Sequence, residues 1–457
     1  MVARSSSGEW WRPQVQSRSA YTEARSPAAL SLPPTGESKL PFRAVMMFTF
    51  ILLAAPQQMF PVLAPLRIAL LSVAVALLAH CWVQISNRRP LIDLNVGIVL
   101  VLAILGWCIL TVPFSIWRGG SVGFLMERYL KTILAFLLLA NIVITLPRLH
   151  KLSWALVSMS VMLALTTVKN FASGTMISAG GRVAGYDSPL TENPNDMAML
   201  LNLMLPFAVA LLLTTPRKLA RIFLVAAIGI MVAAIIATFS RAGFLTLGVM
   251  YLIYFWRFRK RAERFLAPVV LLIVIACLPL VPSSYFDRVG TITNIEEDES
   301  GSAQERWSDA LVASKLILGS PLIGSGVGTA TIAMNEARGD LWIEIHNVYL
   351  TLGVELGLPG LLLFLMFYRV CLKSTGEAMA WARRSPPGNQ QSRELFYLAE
   401  AIHISLLAFL VEAFFHPVAY HFYLYYIAGL AIGLRVLIAT EKSRLAGTDI
   451  EYARAQS

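Results

Sequence analysis

The chain has 457 residues, of which 57% are hydrophobic and 14% charged, and its mean hydropathy is +0.65. That balance excludes a soluble globule of this size and defines an all-α integral membrane protein. The formal net charge of +11 comes with no interleaving of basic and aromatic residues, so no nucleic-acid partner is expected. The basic residues serve instead as juxtamembrane anchors to anionic membrane lipid.

Residues 1–43 are expected to form a disordered cytoplasmic tail, with patches such as Ser5-Ser6-Ser7 and Pro33-Pro34. They contain no apolar core ahead of a small-residue cleavage site, so no signal peptide is expected. A membrane domain follows over 44–438, built from apolar runs of about 17 to 25 residues, the length that crosses hydrocarbon at 1.5 Å per residue. The predicted spans are 44–60, 66–86, 94–116, 129–146, 152–168, 195–214, 220–239, 242–256, 265–282, 346–368, 395–415 and 419–438, twelve transmembrane helices in all. Pro56, Gln57, Gln58 and Pro61 interrupt the first, and the eighth is short. A second tail occupies 439–457.

Most of the 38 Lys and Arg lie in the two tails and in the loops near 88–89, 148–151, 217–221, 257–264 and 369–393. Positive residues mark the inner side, so both termini are expected in the cytoplasm and the long loop 283–345 outside. Cys81, Cys108, Cys277 and Cys371 sit in or beside spans, which argues against structural disulfides, and no zinc-type spacing occurs. His416 and His421 bracket the last external turn without a third ligand. Neither a metal nor another cofactor is expected.

Three external segments are long enough to build a site: 117–128, 169–194 and 283–345. In the second, Asn193 has the form of an N-cap with Pro194 at the first helical position. The third carries ten Asp and Glu against four Lys and Arg. Within it Glu305 to Leu318 places apolar residues at Trp307, Leu311, Ala313, Leu316 and Leu318, an amphipathic helix ended by Gly319-Ser320-Pro321 and suited to capping the bilayer surface. The run Gly324-Ser325-Gly326-Val327-Gly328 has no preceding strand and no Gly-Lys-Ser/Thr, so it reads as a turn of close backbone approach and not as a nucleotide loop.

Arg241 lies in Phe239-Ser240-Arg241-Ala242-Gly243, amid 37 mostly apolar residues. A guanidinium at such depth is costly unless paired or hydrated, which marks it as functional or, on the plain alternative, as a snorkelling interface side chain. His346 opens the span at 346–368 and has three readings: a general acid or base near neutral pH, a polar helix-start residue, or a structural hydrogen-bonding histidine. Glu344 and Asn347 are placed either to orient it or to cap the helix. Arg182, Arg288 and Arg306 are external arginines that either stand in solvent or cluster with Arg241 on a diphosphate, which bidentate guanidinium forks favour. Asp93, Glu355, Glu400 and Glu412 lie near or within spans and are expected to be paired.

In order, Gly181-Arg182 with Asn193-Pro194-Asn195-Asp196, then Phe239-Ser240-Arg241-Ala242-Gly243, Arg306-Trp307 with Gly319-Ser320-Pro321-Leu322-Ile323-Gly324-Ser325-Gly326, and His346-Asn347-Val348-Tyr349-Leu350 with Glu355-Leu356-Gly357 resemble the O-antigen ligase and O-antigen polymerase superfamily of bacterial polytopic membrane glycosyltransferases. The resemblance covers about residues 180–370; the N-terminal third matches in hydropathy alone. It implies a GT-C-like fold and metal-independent transfer of a glycan from undecaprenyl diphosphate to an acceptor hydroxyl, in the bacterial inner membrane with the site facing the periplasm. It also implies that Arg241 and Arg306 hold the donor diphosphate, that His346 activates the acceptor, and that Arg182 assists. Arg288 is added on position alone.

The motifs do not separate a ligase acting on a lipid A core from a polymerase acting on another lipid-linked glycan, or from protein-directed transfer. The external loop lacks an obvious appended domain, which favours a ligase over the protein-directed branch. A twelve-span transporter of lipid-linked sugars would explain the span count, but it predicts ionisable residues clustered at mid-depth or broken helices in paired halves, whereas the candidates here collect on one face.

Overall fold

The computed structural model describes residues 38–178, 182–185, 193–265, 302–339, 342, 344–385 and 388–455. In chain order its principal helices are α1 (Leu40–Ala54), α2 (Ile68–Ser86), α3 (Val96–Thr111), α4 (Arg118–Phe124), α5 (Leu130–Ile142), α6 (Leu146–Ser173), α7 (Pro194–Thr214), α8 (Lys218–Ala237), α9 (Arg241–Phe258), α10 (Ser302–Gly319), α11 (Ala330–Arg338), α12 (Val348–Arg383), α13 (Gln390–Glu412) and α14 (Phe422–Ala455). A two-residue antiparallel pair, β1 (Ile177–Ser178) with β2 (Arg182–Val183), follows α6.

Among the described residues eight helices are long and apolar enough to cross a membrane: α2, α3 extended to Phe114, α6, α7, α8, α12, α13 and α14 as far as Ser443. The predicted spans at 44–60, 129–146 and 242–256 coincide with α1, α5 and α9, which are helical but fall outside those eight. The predicted span 265–282 lies outside the described residues. The predicted tail at 439–457 is, as far as Ala455, a continuation of α14.

Hydrophobicity all round a helix buries it, and α7 has that character: 83% of its apolar window is buried, against 28% for α8. It packs against α13, α8, α6 and α9, while α14 packs on α5 and α12. Leu78 and Trp82 on α2, Leu219 and Ile222 on α8, and Leu252 on α9 are fully apolar yet exposed. Such a surface suits contact with lipid tails and not with water.

Helix α12 is broken at Gly357, where φ is +67° and ψ is −172°, and Pro359 follows. Backbone groups freed inside a membrane domain need partners, and the glycine-rich segment after α10 supplies them. The amides of Ser325 and Gly326 donate to the carbonyls of Val354 (2.7 Å) and Glu355 (2.9 Å), and the amide of Leu358 donates to the carbonyl of Pro321 (2.7 Å). The Trp107 indole donates to the carbonyl of Leu356 at 2.9 Å. Gly324 and Gly326 have φ of +74° and +105°, and a Cβ there would collide with the α12 backbone and with Ser115 respectively. The expected close approach is therefore real, and its target is the break.

Helix α10 spans Ser302–Gly319, around the predicted 305–318. Its apolar residues do not share one face: Ala313 is buried and Leu316 packs with it, whereas Trp307, Leu311 and Leu318 are exposed. Steps of four and seven residues align those three on a separate stripe.

Candidate functional site

The Ser-Arg turn between α8 and α9 is built by local capping. Thr238 Oγ1 donates to the carbonyl of Ile235 (2.7 Å) and accepts from the amide of Ser240 (3.3 Å), and Phe239 adopts a left-handed φ of +53°. Ser240 caps α9 by accepting from the Gly243 amide (3.2 Å) and donates its hydroxyl proton to Asn195 Oδ1 (2.8 Å). A Cβ on Gly243 would lie 2.5 Å from Ala198 Cβ, so glycine is what lets α9 start against α7. Arg241 is thus fixed at the first turn of α9, beside the Asn193-Pro194-Asn195-Asp196 segment, in which Asn193 caps α7 as expected.

Arg182 is brought to Arg241 by the β1–β2 pair. Asn170, near the end of α6, donates to the carbonyls of Ala184 (3.1 Å) and Gly185, which anchors the segment just after Arg182. Burial, and then the neighbouring Arg241 charge, lower the Arg182 pKa from its ordinary value. The two guanidiniums are thus close enough for each charge to act on the other. Arg306, at the start of α10, lies over the Phe415 ring at 5.8 Å and acts electrostatically on His346. Arg288 lies outside the described residues.

His346 precedes α12 and is half-buried. Its Nδ1 lies 2.9 Å from the Glu344 carbonyl oxygen, which can only accept, so neutral His346 carries its proton on Nδ1 and leaves Nε2 bare. Burial first, then the Arg306 charge, hold its pKa below 6.5, against a raising effect of Glu344. Glu344 thus orients the imidazole through its backbone. Asn347 caps α12, accepting from the amides of Tyr349 (2.9 Å) and Leu350 (3.0 Å). The amide of Val348 donates to the carbonyl of Ala413 (2.8 Å), tying this turn to the end of α13.

At that end lies a group the sequence reading treated only as a weak metal ligand. His416 is 2% exposed, and its Nδ1 is 3.1 Å from both the carbonyl oxygen and carboxylate Oε2 of Glu412. Burial alone would lower its pKa; the hydrogen bond and charge of Glu412 outweigh that and raise it. Its Nε2 is buried without a hydrogen-bond partner among the described residues. Glu412 Oε1 accepts from Asn202 Nδ2 (3.1 Å), which also donates to the Gly243 carbonyl (2.9 Å). A polar chain therefore runs from the Arg241 turn through Asn202 and Glu412 to His416.

His346 and His416 line one cavity of about 640 Å³, walled also by Asp196, Glu355, Arg128 and His421. Arg182, Arg241 and Arg306 are not among its described lining residues. Arg128 sits in a π-helical turn, Leu125–Tyr129, between α4 and α5, an irregularity that often accompanies functional sites. Glu355, one residue pair before the α12 break, accepts from the Ala330 amide (2.9 Å) and so caps α11. The i, i+4 spacing of Glu412 and His416 was the available signal for the dyad. Among the described residues no cluster of three or more metal-ligating side chains occurs.

These features define a multi-pass membrane protein whose cationic residues and imidazoles meet at one end of the bundle. Residues 226–365 match the family model described as O-Antigen ligase. That match covers about a third of the chain and, with the ordered motifs, supports a likeness to the O-antigen ligase superfamily. The matched segment contains Arg241, Arg306, His346 and Glu355, but neither Arg182 nor the Glu412–His416 dyad. A search of curated proteins finds no match.

Proposed function

We propose that the protein transfers a glycan from undecaprenyl diphosphate to an acceptor hydroxyl on the periplasmic side of the inner membrane, as an O-antigen ligase acting on a lipid A core. The observation that carries this reading is His346, a neutral imidazole with a bare Nε2 on a cavity wall, next to Arg306. Nε2 takes the proton of the acceptor hydroxyl as its oxygen attacks the anomeric carbon. The bond from that carbon to the diphosphate breaks, and undecaprenyl diphosphate departs with the electron pair. Arg241, Arg182 and Arg306 meet the charge that develops on it, the largest expected source of acceleration. No step requires a metal.

The unpartnered Nε2 of His416 favours a second reading of the proton path. A carboxylate on one nitrogen of an imidazole raises the basicity of the other, so the Glu412–His416 dyad accepts a proton relayed from the acceptor side of the cavity. The testing experiment is transfer in liposomes, with undecaprenyl-diphosphate glycan as donor and either lipid A core or a second lipid-linked glycan as acceptor. Transfer to lipid A core supports the ligase. Elongation of the lipid-linked glycan alone makes the protein a polymerase, and transfer to neither overturns the reading.

A further inference from the structure

The end of the bundle opposite Arg241 holds a second cavity, of about 530 Å³, to which no part of the transfer reaction is assigned. Arg257, Arg259, Lys260, Arg261 and Arg383 line it, and Trp256, Phe396 and Tyr397 add aromatic walls. Helix α9 separates it from the Ser-Arg turn by about 24 Å at 1.5 Å per residue. The only carboxylates that balance these cations among the described groups are Glu400 and Glu263. Glu400 is 3% exposed and accepts from Arg257 Nη1 and from both terminal nitrogens of Arg261, each at 2.8 Å. Glu263 accepts from the Tyr397 hydroxyl at 2.7 Å.

A structural ion pair accounts for Arg257 and Arg261. It leaves Arg259, Lys260 and Arg383 unexplained. Arg383 lies over the Phe396 ring at 4.9 Å and Arg259 over Trp256 at 3.2 Å, so among the described residues both are held by ring faces and not by carboxylates. Five cations facing one cavity against two carboxylates leave an excess positive charge in a partly desolvated space, which an incoming anion would relieve. Trp256 is exposed at the edge of the apolar helix surface, the usual position of an aromatic belt at the headgroup level.

We propose that this cavity binds the phosphate headgroup of an anionic phospholipid, with Arg383, Arg259 and Lys260 on the phosphate and Trp256 against the glycerol and upper acyl region. A basic pocket between helix ends, opening toward lipid, is the chemistry that recognises such headgroups. The Glu400 clamp keeps Arg257 and Arg261 from wandering, which fixes the mouth of the site before lipid arrives.

The test uses the purified full chain in detergent, with lipid retention read by native mass spectrometry and thermal unfolding followed on adding phosphatidylglycerol, phosphatidylcholine or inorganic phosphate. Wild-type protein is expected to retain and be stabilised by phosphatidylglycerol over phosphatidylcholine. Arg383→Gln and the double variant Arg259→Gln/Lys260→Gln leave the Glu400 clamp intact, and each is expected to lose about fivefold in affinity per cation removed. Arg217→Gln/Lys218→Gln, basic residues exposed at the same end of the bundle but outside the cavity, is expected to behave as wild type. Equal retention of both lipids, equal loss in the Arg217/Lys218 control, or stabilisation by inorganic phosphate matching that by lipid overturns the proposal.

Discussion

Helix α13 carries two buried carboxylates twelve residues apart, about 18 Å along its axis, and they are held in opposite ways. Glu400 is gripped by two guanidiniums that cannot release a proton under ordinary conditions. Glu412 faces an amide, Asn202, and an imidazole, His416, whose protonation can change. The same residue type thus makes a rigid fastening at one end of the helix and a titratable element at the other. Partner chemistry, and not burial, separates the two, since both side chains are within 3% exposure.

Substitutions break this comparison. A loss of transfer on the order of 10² to 10³ in rate is expected from Arg241→Ala, for removing one electrostatic donor, with little change in the unfolding temperature. Arg241→Lys is expected to stay defective, because an ammonium cannot reproduce the planar fork; liposome transfer assays on well-inserted protein measure both. Glu400→Ala is expected to do the reverse. It strands two half-buried arginines and costs up to about 3 kcal/mol of stability, seen as a lowered unfolding temperature, while the protein that remains folded transfers at the wild-type rate.

Glu412→Gln sharpens the contrast further. It keeps an oxygen for Asn202 but removes the charge that raises His416, and transfer is expected to fall about 10- to 100-fold, as when an orienting carboxylate is lost from a functional imidazole. The stability that His416 gains from its raised pKa is present below its unfolded pKa and disappears as pH rises through the folded value. Unfolding temperature against pH is expected to show that loss in wild type and not in Glu412→Gln. At Arg306 the loss of a cation facing the departing diphosphate is joined by a smaller, separate effect on the pH dependence. Its charge helps hold His346 below 6.5, so His346 is neutral and able to accept a proton to a pH lower than an ordinary histidine. Arg306→Gln moves the acid limb of the transfer profile upward in pH, measurable in rate against pH at saturating donor.

Much of the fold was legible because the bilayer imposes a length and a hydropathy that local sequence displays directly. Arg241 drew notice because charge amid apolar residues is expensive, and Arg182, Arg306 and His346 through their places in the ordered motifs. What stayed hidden depended on pairings across the fold. Gly324 to Gly328 announced close approach, but the partner was the Gly357 break in α12, about thirty residues away. Trp307, Leu311 and Leu318 looked like one face with Ala313 and Leu316 until packing split them. His416 was weighed as a metal ligand because histidine pairs suggest metals, whereas its partner was a carboxylate one helical turn earlier. The polar chain through Asn202 joins α7, α9 and α13, and no local pattern foretells it.

The proposed role of His346 as the group that accepts the acceptor's proton is tested most directly by the pH dependence of glycan transfer in liposomes by His346→Ala, at saturating lipid-linked donor and acceptor. The variant is expected to insert, to retain donor through its arginines, and to transfer more slowly by about 10² to 10⁴, with the deficit shrinking as pH rises and the hydroxyl depends less on a base. Wild-type rates across the pH range in His346→Ala, with the loss appearing instead in His416→Ala, would contradict that assignment and move the proton acceptor to the Glu412–His416 dyad.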